Sequence, residues 1–196
     1  MSVTKVLSGS KIAILVANGC TEQDMTEAQR ALIEAGAMTK IISPDAGLVN
    51  GWSGDHWGHH YAVDAGLATA LSGDYDMLIV PGGQRSLDKL KMTAHSKRFL
   101  NGFILSEKPV VMFGDALHVL ITTDNVRGRT VAGPTDMKDV VLQAGGNWSD
   151  TTPMRDGMLL TGASDEATRK ALIAEMVDFF AAYVTMRRNT AAAVAA

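Results

Sequence analysis

The chain has 196 residues, 46% of them hydrophobic, which is enough to bury one substantial core. The formal net charge of −3 and the scattered basic residues provide no positive surface for nucleic acid, so we expect no nucleic-acid partner. The single cysteine, Cys20, excludes an intrachain disulfide, and no apolar stretch is long enough to cross a membrane. We therefore expect a cytoplasmic protein without a membrane partner, and one domain over residues 1–196 with its core at about residues 11–187.

The amino-terminal half alternates between short apolar segments and helical segments. The sequence predicts a strand at 11–17, then a helix that ends at Gly36, and a second strand at 39–44. After a loop rich in glycine, tryptophan and histidine, YDMLIVPGG predicts a strand that ends in glycines, and one helix is predicted over 86–108 before the strand PVVMF. Strands that alternate with crossover helices predict an α/β fold with a mostly parallel central sheet, covered by helices on both faces.

The rest of the chain is predicted with less regular elements. In chain order these are a helix over 116–121, a strand or a loop at 130–133, a helix over 135–146, two edge strands, a long amphipathic helix over 165–187 and a frayed tail over 189–196. Thr135 is the predicted N-cap of the helix that it begins. The pair Asp156–Gly157 is typical of tight turns, so it predicts the turn between the two edge strands.

A series of segments arrives in an order that resembles the ThiJ/PfpI superfamily over roughly residues 11–180. These segments are KIAILVANG, ALIEAGA, IISP, GDHWG, DYDMLIVPGG, KPVVMFGDA, VRGRTV, QAGGNWSD and DGMLLTG. The superfamily includes intracellular proteases, proposed deglycases or glyoxalases, and stress chaperones. The resemblance implies a flavodoxin-like three-layer sandwich, similar to class I glutamine amidotransferases, and a homo-oligomer that is a dimer or a hexamer.

The resemblance also locates the superfamily's reactive elbow, the turn from a strand into a helix. Enzymes of this type carry Cys then His at the elbow, and these positions align with Gly114 and Asp115. The Glu that hydrogen-bonds the thiol aligns with Asp24, and a Glu that one branch contributes across a subunit interface aligns with Leu87, beside Asp88. The resemblance therefore implies that the hydrolase or glyoxalase machinery of the family is lost.

The replacement at the elbow has a physical interpretation. An elbow residue is commonly held in a strained backbone region that costs about 1–3 kcal/mol when the residue is not glycine. Gly114 can adopt a positive φ without steric cost, and Asp115 can serve the next helix as an N-cap or a first-turn anion. The Gly-Asp-Ala junction also resembles the cysteine-free C-terminal domain of large-subunit catalases. We interpret it as an elbow that is retained as a scaffold.

Cys20 provides the alternative to this interpretation. It follows the first strand at its carboxyl end, where an open α/β sheet faces its ligand crevice, so it is either a relocated nucleophile or a packed core residue. Asp24 lies one turn further on, and Asp115 or His118 would act as acid or base beside it. For His118 itself, we favour a partly buried structural histidine over a general base.

Two further groups of residues are candidates for ligand binding. Gly82 and Gly83 end a strand, where backbone N–H groups form either an anion or oxyanion pocket or only a tight turn. His56, His59 and His60 share one loop, but adjacent histidines point apart on an extended chain and no second ligand pair occurs at helical spacing, so we expect no metal. Nucleotide-binding glycine motifs and GxSxG are absent from the sequence, and we expect no cofactor.

Two hypotheses of function remain open at this point. The first is a stress-related, non-catalytic binding or chaperone-like module, whose partners are unfolded proteins or an active paralogue. The second is a divergent protease, amidase, glyoxalase or deglycase that uses Cys20 and Asp24. Because the first requires no turnover and the second requires an activated thiol, the state of Cys20 discriminates between them.

Overall fold

The computed structural model describes residues 5–194 of the chain. Its central sheet has seven strands, in the spatial order β11 (Met154–Asp156), β12 (Leu159–Gly162), β8 (Val110–Phe113), β7 (Met77–Val80), β1 (Lys11–Leu15), β3 (Met38–Ser43) and β6 (Ala65–Gly66). Neighbouring strands are parallel except β11 and β12, which are antiparallel. The predicted α/β class with a mostly parallel central sheet is confirmed.

Helices cover both faces of this sheet. They are α1 (Glu22–Glu34), α2 (Gln84–Lys91), α3 (Ala94–Leu105), α4 (Leu117–Thr122), α5 (Lys138–Gln143) and α6 (Glu166–Val194). In β1, Ala13 and Leu15 join a hydrophobic cluster with α2, α3 and α4, whereas Ile12 and Ile14 join a cluster with α1 and α6. Because successive side chains of a strand point to opposite faces, this alternation produces the three layers of a flavodoxin-like sandwich.

The segment that was predicted as a glycine, tryptophan and histidine loop is a β-hairpin, so that prediction was wrong. Its strands β4 (Leu48–Ser53) and β5 (His56–Ala62) are antiparallel, and β4 also pairs with the short strand β2 (Cys20–Thr21). Trp52 and Trp57 face each other across the hairpin, with ring centroids 5.2 Å apart in an edge-to-face arrangement. Cross-strand aromatic pairs of this kind stabilise a hairpin although its composition resembles that of a loop.

The single helix predicted over 86–108 is divided into α2 and α3. The break falls at Met92 and Thr93, and the Thr93 side chain accepts a hydrogen bond from the backbone N–H of His95 at 3.2 Å. Threonine is a good N-cap, and its cap starts a new helix although the apolar pattern runs through it.

Several carboxyl-terminal predictions are corrected by the structure. The segment 130–133 contains a strand, β9 (Thr130–Val131), which pairs with β10 (Asn147–Trp148). Thr135 lies inside a short 3-10 turn and caps no helix with its side chain. The tight turn at Asp156–Gly157 is confirmed, but only β11 is an edge strand, because β12 also pairs with β8.

The last helix is longer than predicted. α6 continues to Val194, beyond the expected end at 187, so the segment that we expected to be frayed is helical as far as it is described, and its last residues, 195–196, lie outside the described part. Alanine, the best helix former, dominates that segment. Within residues 5–194, no helix is both long and apolar enough to cross a lipid bilayer.

Candidate functional site

The elbow is built by the end of β8 and the turn that leads into α4. Gly114 has a φ of +55°, so the predicted positive φ is confirmed. A Cβ atom at this position would lie 2.5 Å from Oγ of Ser164, in the loop between β12 and α6. A hydroxyl group from a distant part of the chain therefore occupies the space in which an elbow side chain would begin.

Two carboxylates accept hydrogen bonds from the glycines that follow β7. Asp24, on α1, accepts a hydrogen bond from the Gly82 N–H at 3.1 Å, and Asp115 accepts one from the Gly83 N–H at 2.9 Å. The two N–H groups that were candidates for an oxyanion pocket thus already have protein acceptors. Gly83 is the N-cap of α2, so Asp115 places its negative charge at the start of α2. Asp115 makes no side-chain cap on the helix after the elbow, so the N-cap expectation is corrected, although it is an acidic residue in the first turn of the short 3-10 segment there.

Asp24 is fully buried, and its electrostatics are unusual. Burial raises the pKa of its carboxyl to about 7, and the charge of Asp115 adds to the increase, although the Gly82 N–H and the Arg169 guanidinium oppose it. Oδ1 has no hydrogen-bond partner among the described residues, and Nη1 of Arg169 lies 3.8 Å from it. The carboxyl is therefore held close to the point of half-protonation at neutral pH.

This raised pKa predicts a pH dependence of stability. The folded state keeps the Asp24 proton up to pH of about 7, whereas the unfolded chain releases it near 3.8. Between these values the folded state binds more protons, so the free energy of unfolding should fall with rising pH, by up to about 1.4 kcal/mol per pH unit from this group. Urea denaturation of the wild type and of Asp24→Asn across this range measures the slope, which Asn should remove.

A neighbouring acid provides the control for that experiment. Burial raises the pKa of Glu22, but hydrogen bonds from Tyr61 and His59 outweigh it and hold the pKa below its usual 4.5. The contribution of Glu22 to stability is lost only as pH falls through that lower value. Above about pH 5, Glu22→Gln should therefore keep the wild-type slope of the free energy of unfolding against pH. An equal slope in the wild type and in Asp24→Asn would contradict the assignment to Asp24.

Cys20, in β2, is fully buried. Burial is the main cause that raises the pKa of its thiol to about 12, and the charges of Glu22 and Asp24 act in the same direction. A reactive thiolate needs exposure and a positive environment, and the structure provides neither for this residue. Its position favours the interpretation of Cys20 as a packed core residue.

The buried thiol predicts slow alkylation in the native state. Relative to the ordinary value of 9.0, a pKa of about 12 lowers the thiolate fraction about a thousandfold at neutral pH. Iodoacetamide labelling followed by mass spectrometry should be slow for native protein and fast in guanidinium, where the same single thiol is its own control. Equal labelling rates in the two states would show an accessible thiolate.

The side chains of the remaining candidates from the sequence, His118, Leu87 and Asp88, make no hydrogen bond to Asp24 or Asp115 among the described residues. Within residues 5–194, the His118 side chain makes no hydrogen bond to another candidate, and it is half-buried on α4. Leu87 is fully buried in the core beneath α2, whereas its neighbour Asp88 is exposed and pairs with Lys91. Leu87 therefore packs the domain and presents no group to a subunit interface.

The three histidines of the hairpin face different partners. Nδ1 of His59 lies 2.5 Å from Glu22, that of His60 lies 2.5 Å from Asn50, and His56 contacts its neighbour in the chain. In the part of the chain that the structure describes, no group of three His, Cys, Asp or Glu side chains is arranged to hold a metal ion.

Sequence reasoning missed Ser164 and Arg169. Arg169 is buried at the start of α6, where it donates to both carboxylate oxygens of Glu27, at 3.1 and 3.3 Å, and to the backbone oxygen of Ser164 at 3.0 Å. These residues are separated from Asp24 by more than half of the chain, and neither belongs to a motif. Only the packing of α6 against α1 could reveal them.

Two clefts open beside the elbow. The first, of about 590 Å³, includes Gly83, Arg85 and Asp115, and the second, of about 620 Å³, includes Ser164 and Arg169. Both are bordered by Thr21 and Trp52, so they form neighbouring parts of one groove. The groove lies at the carboxyl ends of β1, β7 and β8, which is where open α/β sheets bind ligands.

These features define a class of protein, the flavodoxin-like α/β sandwich with a strand-to-helix elbow at the carboxyl edge of its sheet. The model of the DJ-1/PfpI family matches residues 10–177, and the chain belongs to this family. The Bacillus subtilis (strain 168) protein named "Putative cysteine protease YraA" is 30% identical over 140 residues, which are 71% of this chain and 80% of that protein. SH1084 of Staphylococcus haemolyticus is 30% identical over 158 residues, which are 80% and 90% of the two chains.

Solved structures of the same type share the fold. Drosophila melanogaster DJ-1beta aligns with a TM-score of 0.76 at 19% identity, over 88% of this chain and 90% of that one. Schizosaccharomyces pombe DJ-1 aligns with a TM-score of 0.74 at 15% identity, over 90% and 97%. A two-domain protein of Anabaena variabilis with DJ-1/ThiJ/PfpI-like and ferritin-like domains aligns with a TM-score of 0.78 at 21% identity. The alignment covers 86% of this chain but only 49% of that protein, about half its length. The likeness of the elbow to the catalase domain stays a prediction.

Proposed function

We propose that this protein is a non-catalytic binding member of the DJ-1/PfpI family, with its ligand in the groove beside the elbow. The observation that carries the proposal is the pair of carboxylates on the Gly82 and Gly83 N–H groups. An oxyanion hole stabilises a transition state only if its donors point at the developing charge. Here the donors are already bonded to Asp24 and Asp115, so an incoming oxyanion would have to displace a carboxylate.

The state of the nucleophile supports the same proposal. A cysteine protease activity, such as the one in the name of the Bacillus subtilis relative, depends on an accessible thiolate. This chain has Gly114 at the elbow, and its only cysteine, Cys20, is buried with a pKa raised to about 12. The hypothesis of a rebuilt enzyme on Cys20 and Asp24 therefore lacks a nucleophile in a reactive state.

Partners beyond the groove's ligand also belong to this proposal. The family resemblance favours unfolded proteins or an active paralogue as partners, a role in stress protection and a homo-oligomer. Exposed apolar side chains such as Met92 and Leu105, 88% and 83% exposed, are available for such contacts. Suppression of the thermal aggregation of a denatured client protein, together with the mass of the protein in solution, measures these properties.

The decisive test is a search for turnover. Purified wild type, Cys20→Ala and Asp24→Asn are assayed with methylglyoxal and with a fluorogenic peptide. We expect all three to match the rate without protein, because the thiol is buried and the oxyanion donors are occupied. Turnover well above this background in the wild type, lost in Cys20→Ala or Asp24→Asn, would overturn the proposal in favour of a divergent enzyme.

A further inference from the structure

The first of the two clefts, of about 590 Å³, is called the elbow cleft from here on. Three charged residues border it, Arg85 and Asp88 of α2 and Asp115 of the elbow. Both carboxylates already have partners, because Asp88 pairs with Lys91 at 2.8 Å and Asp115 accepts the Gly83 N–H. The charge in this cleft that still lacks a partner is the one on Arg85.

The Arg85 guanidinium is held in place although it makes no ion pair. Its central carbon lies 4.3 Å from the ring centroid of Trp52 and 5.7 Å from that of Trp57, so it stacks on the hairpin by cation–π contact. Its aliphatic part lies against Gly19, where an added Cβ would be only 2.5 Å from Cβ of Arg85. Within residues 5–194, none of its N–H donors is bonded to a side-chain or backbone acceptor.

Such an arginine is preorganised for an oxyanion. Stacking restricts the side chain while the donor edge stays available, and a planar guanidinium binds carboxylate or phosphate oxygens in pairs. The side chain of Asp115, bonded at the start of α2, already demonstrates that a carboxylate is accommodated in this cleft. The volume of about 590 Å³ suits a small organic molecule.

We propose that the elbow cleft binds a small organic molecule with a single anionic group, a carboxylate or a phosphate, on Arg85 and with its apolar part against Trp52. Asp88 and Asp115 disfavour ligands with a second anionic group, since that group would face a carboxylate. This inference rests on the proposed function, because it names the chemistry of the ligand that the non-catalytic groove would hold. A carboxylate and a phosphate monoester would both bind to the paired N–H donors of the guanidinium, and the experiment distinguishes between them.

The experiment measures binding by calorimetry with benzoate, phenyl phosphate and the neutral benzamide, at constant ionic strength. Full-length wild type should bind benzoate or phenyl phosphate, and whichever binds more tightly identifies the anionic group. Arg85→Met keeps the aliphatic contact with Gly19, removes the guanidinium that stacks on Trp52, and should weaken that binding about tenfold to hundredfold. Arg127→Met, which removes an arginine that is 74% exposed elsewhere on the surface, should change nothing.

Two outcomes would overturn the inference. One is that neither anion binds more tightly than benzamide, and the other is that Arg85→Met binds as the wild type does. Arg85→Lys keeps the charge without the planar donor pair and should bind with intermediate affinity, so it replaces Arg85→Met if that variant does not fold. Turnover together with intact anion binding would contradict the proposed function alone. The absence of both turnover and anion binding would contradict this inference alone.

Discussion

Gly83→Ala should lower the free energy of unfolding by about 3 kcal/mol or more. Gly83 has a φ of +113°, a region that residues with a Cβ rarely adopt. An added Cβ would lie 2.6 Å from the Thr21 nitrogen, 2.7 Å from the Gly19 oxygen and 2.9 Å from the Cys20 carbonyl carbon. These are backbone atoms of residues 19–21, which comprise Gly19 and the short strand β2, so no rotation of a side chain can relieve the clash.

A second glycine separates the clash from the backbone strain. Gly47 has a φ of +80°, and an added Cβ would meet no heavy atom within 4 Å. Gly47→Ala should therefore cost only the left-handed backbone energy, about 1–2 kcal/mol. Urea denaturation, analysed with equal m values, compares the free energies of unfolding of the two variants. Equal losses would show that the backbone of residues 19–21 shifts at little cost to accommodate the added Cβ.

This contact also matters for the site. Gly83 lies close to residues 19–21, which brings the end of β7 next to α1. The same approach allows Asp24 to accept the hydrogen bond from the Gly82 N–H. A variant that moves Gly83 away from residues 19–21 should therefore release the Asp24 carboxyl from its buried position. Its pKa should then return toward the ordinary value, because burial is the main cause of the increase.

Arg169→Met should have the second large effect, a loss of about 3–5 kcal/mol in the free energy of unfolding. The variant leaves Glu27 without its paired donors and removes the one cation beside the buried Asp24. Asp24 is fully buried and bears the desolvation cost when its cation is deleted, whereas Glu27, 35% exposed, recovers part of its hydration. Because Asp24 is neutral at low pH, the loss should be larger above pH of about 7 than at pH of about 5.

The same helix offers a matched control. Arg187 also forms an ion pair, with Asp76 at 2.7 Å, but its side chain is 53% exposed. Arg187→Met should cost less than about 1 kcal/mol, since solvent screens an exposed pair. Adding Asp24→Asn to Arg169→Met should recover part of the loss at high pH. If the two arginine variants were equally stable, or if Asn recovered nothing, the buried cluster would not be the cause.

Local chemistry made part of the site predictable. The positive φ of Gly114 follows from the lack of a Cβ at a strand-to-helix turn, and the two glycines after β7 follow from the abrupt end of an apolar strand. The family resemblance located Asp24 and placed Asp115 in the elbow itself. It could not show that both carboxylates are bonded to the Gly82 and Gly83 N–H groups, because those bonds depend on how close α1, the loop after β7 and the elbow lie to one another.

The sequence by itself determined the α/β class and the parallel strands, because hydrophobic periodicity is a local property of the chain, whereas the loss of the elbow nucleophile is what the family resemblance implies. Only the tertiary structure decided the state of each candidate. Cys20 is a buried thiol with a raised pKa and Asp24 is a buried carboxyl with a pKa of about 7, since burial and the distance to other charges set a pKa. Ser164 and Arg169 reached the site through the packing of α6 on α1, which joins residues far apart in the sequence.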